Sequence, residues 1–186
     1  MLAGAALLAI IAAVIVTTVP GGCERRGGIA TTSDEETKNE LTRRAVGGIE
    51  VVTINGVTYN LELAADNPTR MKGLGGRSHI DEHGGMLFVF RVPNRLNFVM
   101  RDCLVPIDII FVDGTGLVTA TYTMPPEAPQ GETETDLLYE NRLKRYSSKF
   151  TAQFAIELQA GQIEKIGVKP GDKINLDIVR LQNLSR

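Results

Sequence analysis

Apolar positions along the chain fall into three regimes. Leu2 to Val19 is uncharged and mostly apolar, at the short end of what spans a bilayer and slightly longer than a usual signal-peptide core. Glu24 to Gly48 turns polar, with ERRGG and TTSDEETKNE among its runs, and has too few large apolar side chains to offset the entropy of ordering. From Ile49 onward, β-branched and aromatic residues recur in short runs separated by turn residues, the pattern of a β-rich domain. The expected organisation is a leader or membrane anchor over 1–23, a flexible linker over 24–48 and one globular domain over 49–186.

Within that domain, Glu50–Ile54 and Val57–Leu63 flank Asn55-Gly56, the dipeptide suited to a type I′ turn because both central residues need positive φ. This predicts a β-hairpin. Asp66-Asn67-Pro68 through Gly73 supplies a cap, a first-turn proline and a terminating glycine, so a short helix is expected there. Strands are expected at about 86–91, 97–101, 107–112 and 117–123, at Gln153–Leu158, and, by alternation, at Lys173–Val179. Gly161–Gly167 reads as a second short helix, and Met124–Ser148 as a long polar loop with Leu137-Leu138-Tyr139 as an apolar latch. The expected fold is α+β: a β-rich barrel or roll of about seven mainly antiparallel strands with two short helices, preceded by an N-terminal hydrophobic helix and a flexible tether.

Composition narrows the functional classes. Twenty basic and 22 acidic side chains are interspersed, with a formal net charge of −2, which leaves no electrostatic footprint for nucleic acid. Pro20-Gly21-Gly22-Cys23 follows the apolar leader and resembles a lipoprotein cleavage site, with Cys23 the candidate lipid attachment point, although Pro20 stands where an aliphatic residue is usual. No Lys or Arg precedes the apolar run and Arg25-Arg26 follow it, which by the positive-inside rule argues for the opposite orientation. Lipoprotein leader, ordinary signal peptide and retained anchor therefore stay open. The expected location is the cell envelope, membrane-anchored, with the domain facing the periplasm or exterior.

Arg70–Arg77, Gly85–Phe90, Phe98–Asp113 and Ala160–Asp172, in that order, resemble the family named domain of unknown function 192. The resemblance runs from about Val51 to the C-terminus. It implies a compact β-rich α+β domain, often exported, and carries a fold without a reaction.

Candidate chemistry concentrates where polar groups interrupt apolar strands. Asp108 lies between Ile107 and Ile109, where a carboxylate needs a partner; Arg70, Arg77 and Arg101 are the candidate cations. With Arg77, Phe98, Met100 and Arg101, Asp108 forms the proposed ligand-binding set, closed over by the loop from Met124. Cys103 could serve as a nucleophile only if His79 or His83 folded across to it, and a small core residue is the plainer account. On a helix His79 and His83 would share a metal-binding face, but Gly84-Gly85 ends any such helix, so no metal site is expected. No cofactor is expected either, and the partners anticipated are a membrane, through the N-terminal segment, and an unknown small molecule or envelope protein. A ligand-binding or accessory module is the leading reading; a small hydrolase or transferase using Asp108 or Cys103, and a purely structural interaction domain, are the alternatives.

Overall fold

In the computed structural model, residues 48–186 are described. The hydrophobic leader, the lipoprotein motif at Cys23 and nearly all of the tether lie outside the described residues. No helix among the described residues is long and apolar enough to cross a membrane.

The elements are β1 (Ile49–Ile54), β2 (Val57–Ala64), α1 (Asn67–Lys72), β3 (Gly84–Asn94), β4 (Asn97–Phe98), β5 (Ile107–Val112), β6 (Val118–Met124), α2 (Asp136–Arg142), β7 (Tyr146–Ser147), β8 (Ala152–Gln159), α3 (Gln162–Ile166) and α4 (Ile178–Leu184). The fold is α+β, as the sequence indicates. Asn55 and Gly56 take φ of 46° and 85°, so β1 and β2 form the expected primed hairpin. Asp66 caps α1 through the Thr69 amide, and Gly73 ends it.

Six strands form one open sheet in the order β1-β2-β3-β8-β5-β6, and β4 pairs with β7 in a separate two-stranded ribbon. The large sheet does not close on itself, since β1 and β6 are its edges. Nor is it a simple meander: α1 carries the chain from β2 to a parallel β3, and β8 returns from the far end of the sequence to separate β3 from β5.

Both faces of the sheet are buried. Leu87, Val89, Ile110, Val112, Phe154, Ile156 and Leu158 pack on one face with Ile174 and Leu181. Met86, Phe88, Ile109, Phe111 and Ala155 pack on the other with Leu74, Met100 and Tyr146. Burial on two sides explains why β3 reads as a continuous apolar run, and β5 as one interrupted only by Asp108, instead of alternating. Every residue of β5 is buried.

Besides the open sheet, three expectations are corrected. Four short helices form instead of two, the additional pair being α2, inside the stretch expected as a loop, and α4. The stretch from Lys173 is not a strand: Lys173 makes a lone bridge to Leu117, Ile174 and Leu176 are buried in coil, and the chain enters α4 with Asp177 capping the Arg180 amide. Ile178, Leu181 and Leu184 are spaced for one helical face, and that spacing overrides the local alternation. The strand expected over 97–101 stops at Phe98, because Arg101–Cys103 turns sharply with Asp102 at a φ of 53°.

Candidate functional site

Asp108 is fully buried on the first core face, and no guanidinium of the described residues reaches it. Its Oδ1 accepts the Thr123 hydroxyl at 2.6 Å and its Oδ2 accepts the Ile163 backbone N–H at 2.7 Å. Gly161 precedes α3 without a side chain to cap it, so Asp108 supplies the missing N-cap from the neighbouring strand. The three candidate cations are engaged elsewhere. Arg70 donates to the Val89 and Arg186 carbonyls at 2.8 Å each. Arg77 grips Glu62 with two hydrogen bonds of 2.5 and 2.7 Å. Arg101 pairs with Glu140.

The five ligand-site candidates therefore separate. Phe98 and Arg101 line one cleft, of about 490 Å³, on the second core face. Met100 is buried beneath it in the core, Asp108 is on the opposite face of the sheet, and Arg77 lines a smaller cleft of about 310 Å³ with His79 and His83. Ser78–His83 is not helical, so the two imidazoles do not share a face. His79 lies 3.2 Å from Asp81, and His83 tilts against Tyr59.

The larger cleft is assembled from five segments. Phe88 and Phe90 of β3 and Phe98 of β4 form an aromatic wall, with Phe98 edge-on to Phe88 at a centroid distance of 5.0 Å. The glycine loop after α1 forms one side. It can lie close because Gly75 has no side chain: a Cβ there would sit 3.0 Å from the Lys72 carbonyl and 3.3 Å from that of Arg101. Glu140 of α2 and Arg145 after it form the far rim. Tyr139 holds α2 in place, its hydroxyl 3.1 Å from the Asp102 amide and 3.2 Å from the Asp102 carboxylate. Leu137 and Leu138 stay exposed, so the expected apolar latch is Tyr139 alone.

Glu157, from the middle of β8, forms the floor. It is paired in register with Met86 on one side and Ile109 on the other, and its Oε2 has no hydrogen-bond partner. Burial pushes this carboxyl up to about 8, against the opposing pull of the Leu74 amide and the Arg77 charge. It is therefore largely a neutral acid at pH 7. Cys103 lines the same cleft, and burial, with the nearby Glu157 and Asp102, pushes its thiol up to about 12. A thiol so held has almost no thiolate to attack with.

Sequence reasoning passed over Glu157, Lys72, Glu140 and Arg145. Glu157 carried the same signal as Asp108, a carboxylate inside an apolar strand. Among the described residues, no group of three or more His, Cys, Asp or Glu side chains is placed to hold a metal ion.

A crystal structure of a protein of unknown function from Novosphingobium aromaticivorans DSM 12444 is similar, with 25% identity, a TM-score of 0.57, and coverage of 69% of this chain and 84% of that one. Another, from Sinorhizobium meliloti 1021 and described as a candidate transcription regulator, has 26% identity and a TM-score of 0.51 over 68% of this chain and 90% of its own. Comparison with curated proteins finds no match. The family model DUF192, described as an uncharacterised ACR, matches residues 50–176. With its central blocks, its order of elements and its two-sided sheet all inside that span, the chain belongs to the DUF192 family, domain of unknown function 192.

Proposed function

We propose that this chain is an extracytoplasmic binding module, held at a membrane by its N-terminal segment, that takes a small molecule into the cleft between the glycine loop, β4 and α2. The observation that carries the reading is Glu157 Oε2, a buried polar atom without a partner at the floor of an aromatic-walled cleft. An unsatisfied buried polar group costs about 1–3 kcal/mol, and such a cost is retained where a ligand recovers it. Arg101, whose Nε is also buried without a partner, lines the same cleft. Pockets of this size with apolar walls and a few convergent polar groups are the usual form of small-molecule sites.

The tether half of the proposal rests on the apolar run over 2–19, Cys23 and the polar spacer that follows. Regulation of transcription, the role in the description of the Sinorhizobium relative, is not carried over, because the charges here are balanced and interspersed. Catalysis through Asp108 or Cys103 has little support: one carboxylate is spent on a helix cap and the other group is held as a thiol.

Two experiments test the reading. Full-length protein in mild detergent is screened by thermal shift against metabolite and envelope-fragment libraries, since a ligand of the folded state raises apparent stability by mass action. Binding predicts a concentration-dependent rise that Phe98→Ala removes; no rise with any compound would leave the interaction-domain reading. Radioactive palmitate labelling should be lost in Cys23→Ser, and retained label would dismiss Cys23 as the attachment point.

A further inference from the structure

The charges around the cleft say what kind of molecule it takes. Four cationic side chains line it, Arg70, Lys72, Arg101 and Arg145, against two carboxyls, Glu140 and Glu157. Arg70 is saturated by carbonyls of the fold and Arg101 is paired with Glu140. Lys72 and Arg145 have neither an ion-pair nor a side-chain hydrogen-bond partner among the described residues, and both are exposed at the rim. Between them and the floor lie the faces and edges of Phe88, Phe90 and Phe98.

Resting on the binding role proposed above, we infer that the cleft is a site for a small amphipathic anion: an aryl or alkyl body lies along the three phenylalanines, and a carboxylate or phosphate meets Arg145 and Lys72 at the rim. A cationic ligand would meet two positive charges at the entrance that no described carboxylate pairs with directly, whereas an anion neutralises them. Glu157 does not reverse this preference, because as a neutral acid it offers a hydrogen bond to an acceptor on the buried end of the ligand. Guanidinium adds specificity here, since its planar fork can hold a carboxylate or phosphate through two hydrogen bonds.

The probes are three compounds with one skeleton, 4-phenylbutyrate, 4-phenylbutylamine and 4-phenyl-1-butanol, titrated into full-length protein in mild detergent and followed by calorimetry and amide chemical shifts. The expected result is that the carboxylate binds at least tenfold more tightly than the amine and shifts the amides of Phe98 and Arg145. The double variant Lys72→Gln with Arg145→Gln should abolish that preference by weakening the carboxylate far more than the alcohol; both residues are exposed, so the variant folds. Equal or tighter binding of the amine would overturn the anion assignment while leaving the binding role intact. Failure of all three to perturb the cleft would count against both. Phenylbutyrate and phenylbutyl phosphate, compared side by side, distinguish a carboxylate site from a phosphate site.

Discussion

Asp108 caps α3 from the adjacent strand β5: its Oδ2 lies 2.7 Å from the backbone nitrogen of Ile163, 55 residues further along the chain. A carboxylate in a fully buried strand is tolerated because backbone N–H and hydroxyl donors, and not a guanidinium, satisfy it. Asp108→Ala leaves the Ile163 N–H and the Thr123 hydroxyl without that acceptor and should cost roughly 2–3 kcal/mol. Thr123→Val, which removes one donor, should cost about 1 kcal/mol. Urea unfolding midpoints measure both. A change below about 0.5 kcal/mol in the alanine variant would show that the cap contributes nothing.

Glu157 links stability to pH. Its folded value of about 8 lies above the ordinary 4.5, so the native state binds this proton more tightly than the unfolded chain. The stabilising preference is complete below pH 4.5, declines as pH rises through the window to about 8, and is lost above it. At 1.36 kcal/mol per unit the full swing is on the order of 4–5 kcal/mol. Glu157→Gln keeps the shape and abolishes the titration. Unfolding free energies taken from pH 5 to 9 should therefore fall with pH more steeply in wild type than in the variant. Parallel profiles would mean that Glu157 is ionised throughout.

The hairpin at Asn55-Gly56, the α1 caps and the apolar β3 and β5 were legible because each depends on residues adjacent in sequence. The order of the strands was not. Nothing local tells β8 to insert between β3 and β5; that placement follows from burying both of its faces at once. The site was half legible for the same reason. Phe98 and Arg101 were found from one continuous block, whereas Glu157, Lys72 and Arg145 reach the cleft from segments far apart in the chain. Pairing was the least legible of all: a buried Asp suggests a nearby Arg, yet each arginine found a closer acceptor, and Asp108 found a helix start.

Gly85 fixes the position of Glu157. It sits at a φ of 152°, and a Cβ there would lie 2.2 Å from the Glu157 carbonyl oxygen. β3 can approach β8 this closely only without a side chain. Gly85→Ala should force the two strands apart and cost roughly 3 kcal/mol or more. Gly76 also has a positive φ but nothing within 4 Å of its added Cβ, so Gly76→Ala should cost only about 1 kcal/mol of backbone strain. Thermal unfolding of the pair separates steric crowding from strain, and equal losses would show that the close approach is unimportant.

Tyr139 fastens α2, the far rim of the cleft, to the Asp102 turn. Its ring is buried, Arg142 lies 4.8 Å above it, and its hydroxyl meets both the amide and the carboxylate of Asp102. Those hydrogen bonds join α2 to the turn that carries Arg101 and Cys103, and α2 carries Glu140, the partner of Arg101. Tyr139→Phe retains the ring and removes the latch, so overall stability should fall by only about 1 kcal/mol. Local opening should become easier by a similar amount, which corresponds to roughly fivefold faster amide exchange in α2 and at Asp102, while the strand amides of β8 stay protected. Hydrogen exchange read by mass spectrometry checks this directly. Because Glu140 and Arg145 flank the released segment, the same variant should also weaken phenylbutyrate binding, chiefly by faster dissociation. Unchanged exchange in α2 would show that packing of the ring alone holds the helix, with the Asp102 hydrogen bonds contributing nothing.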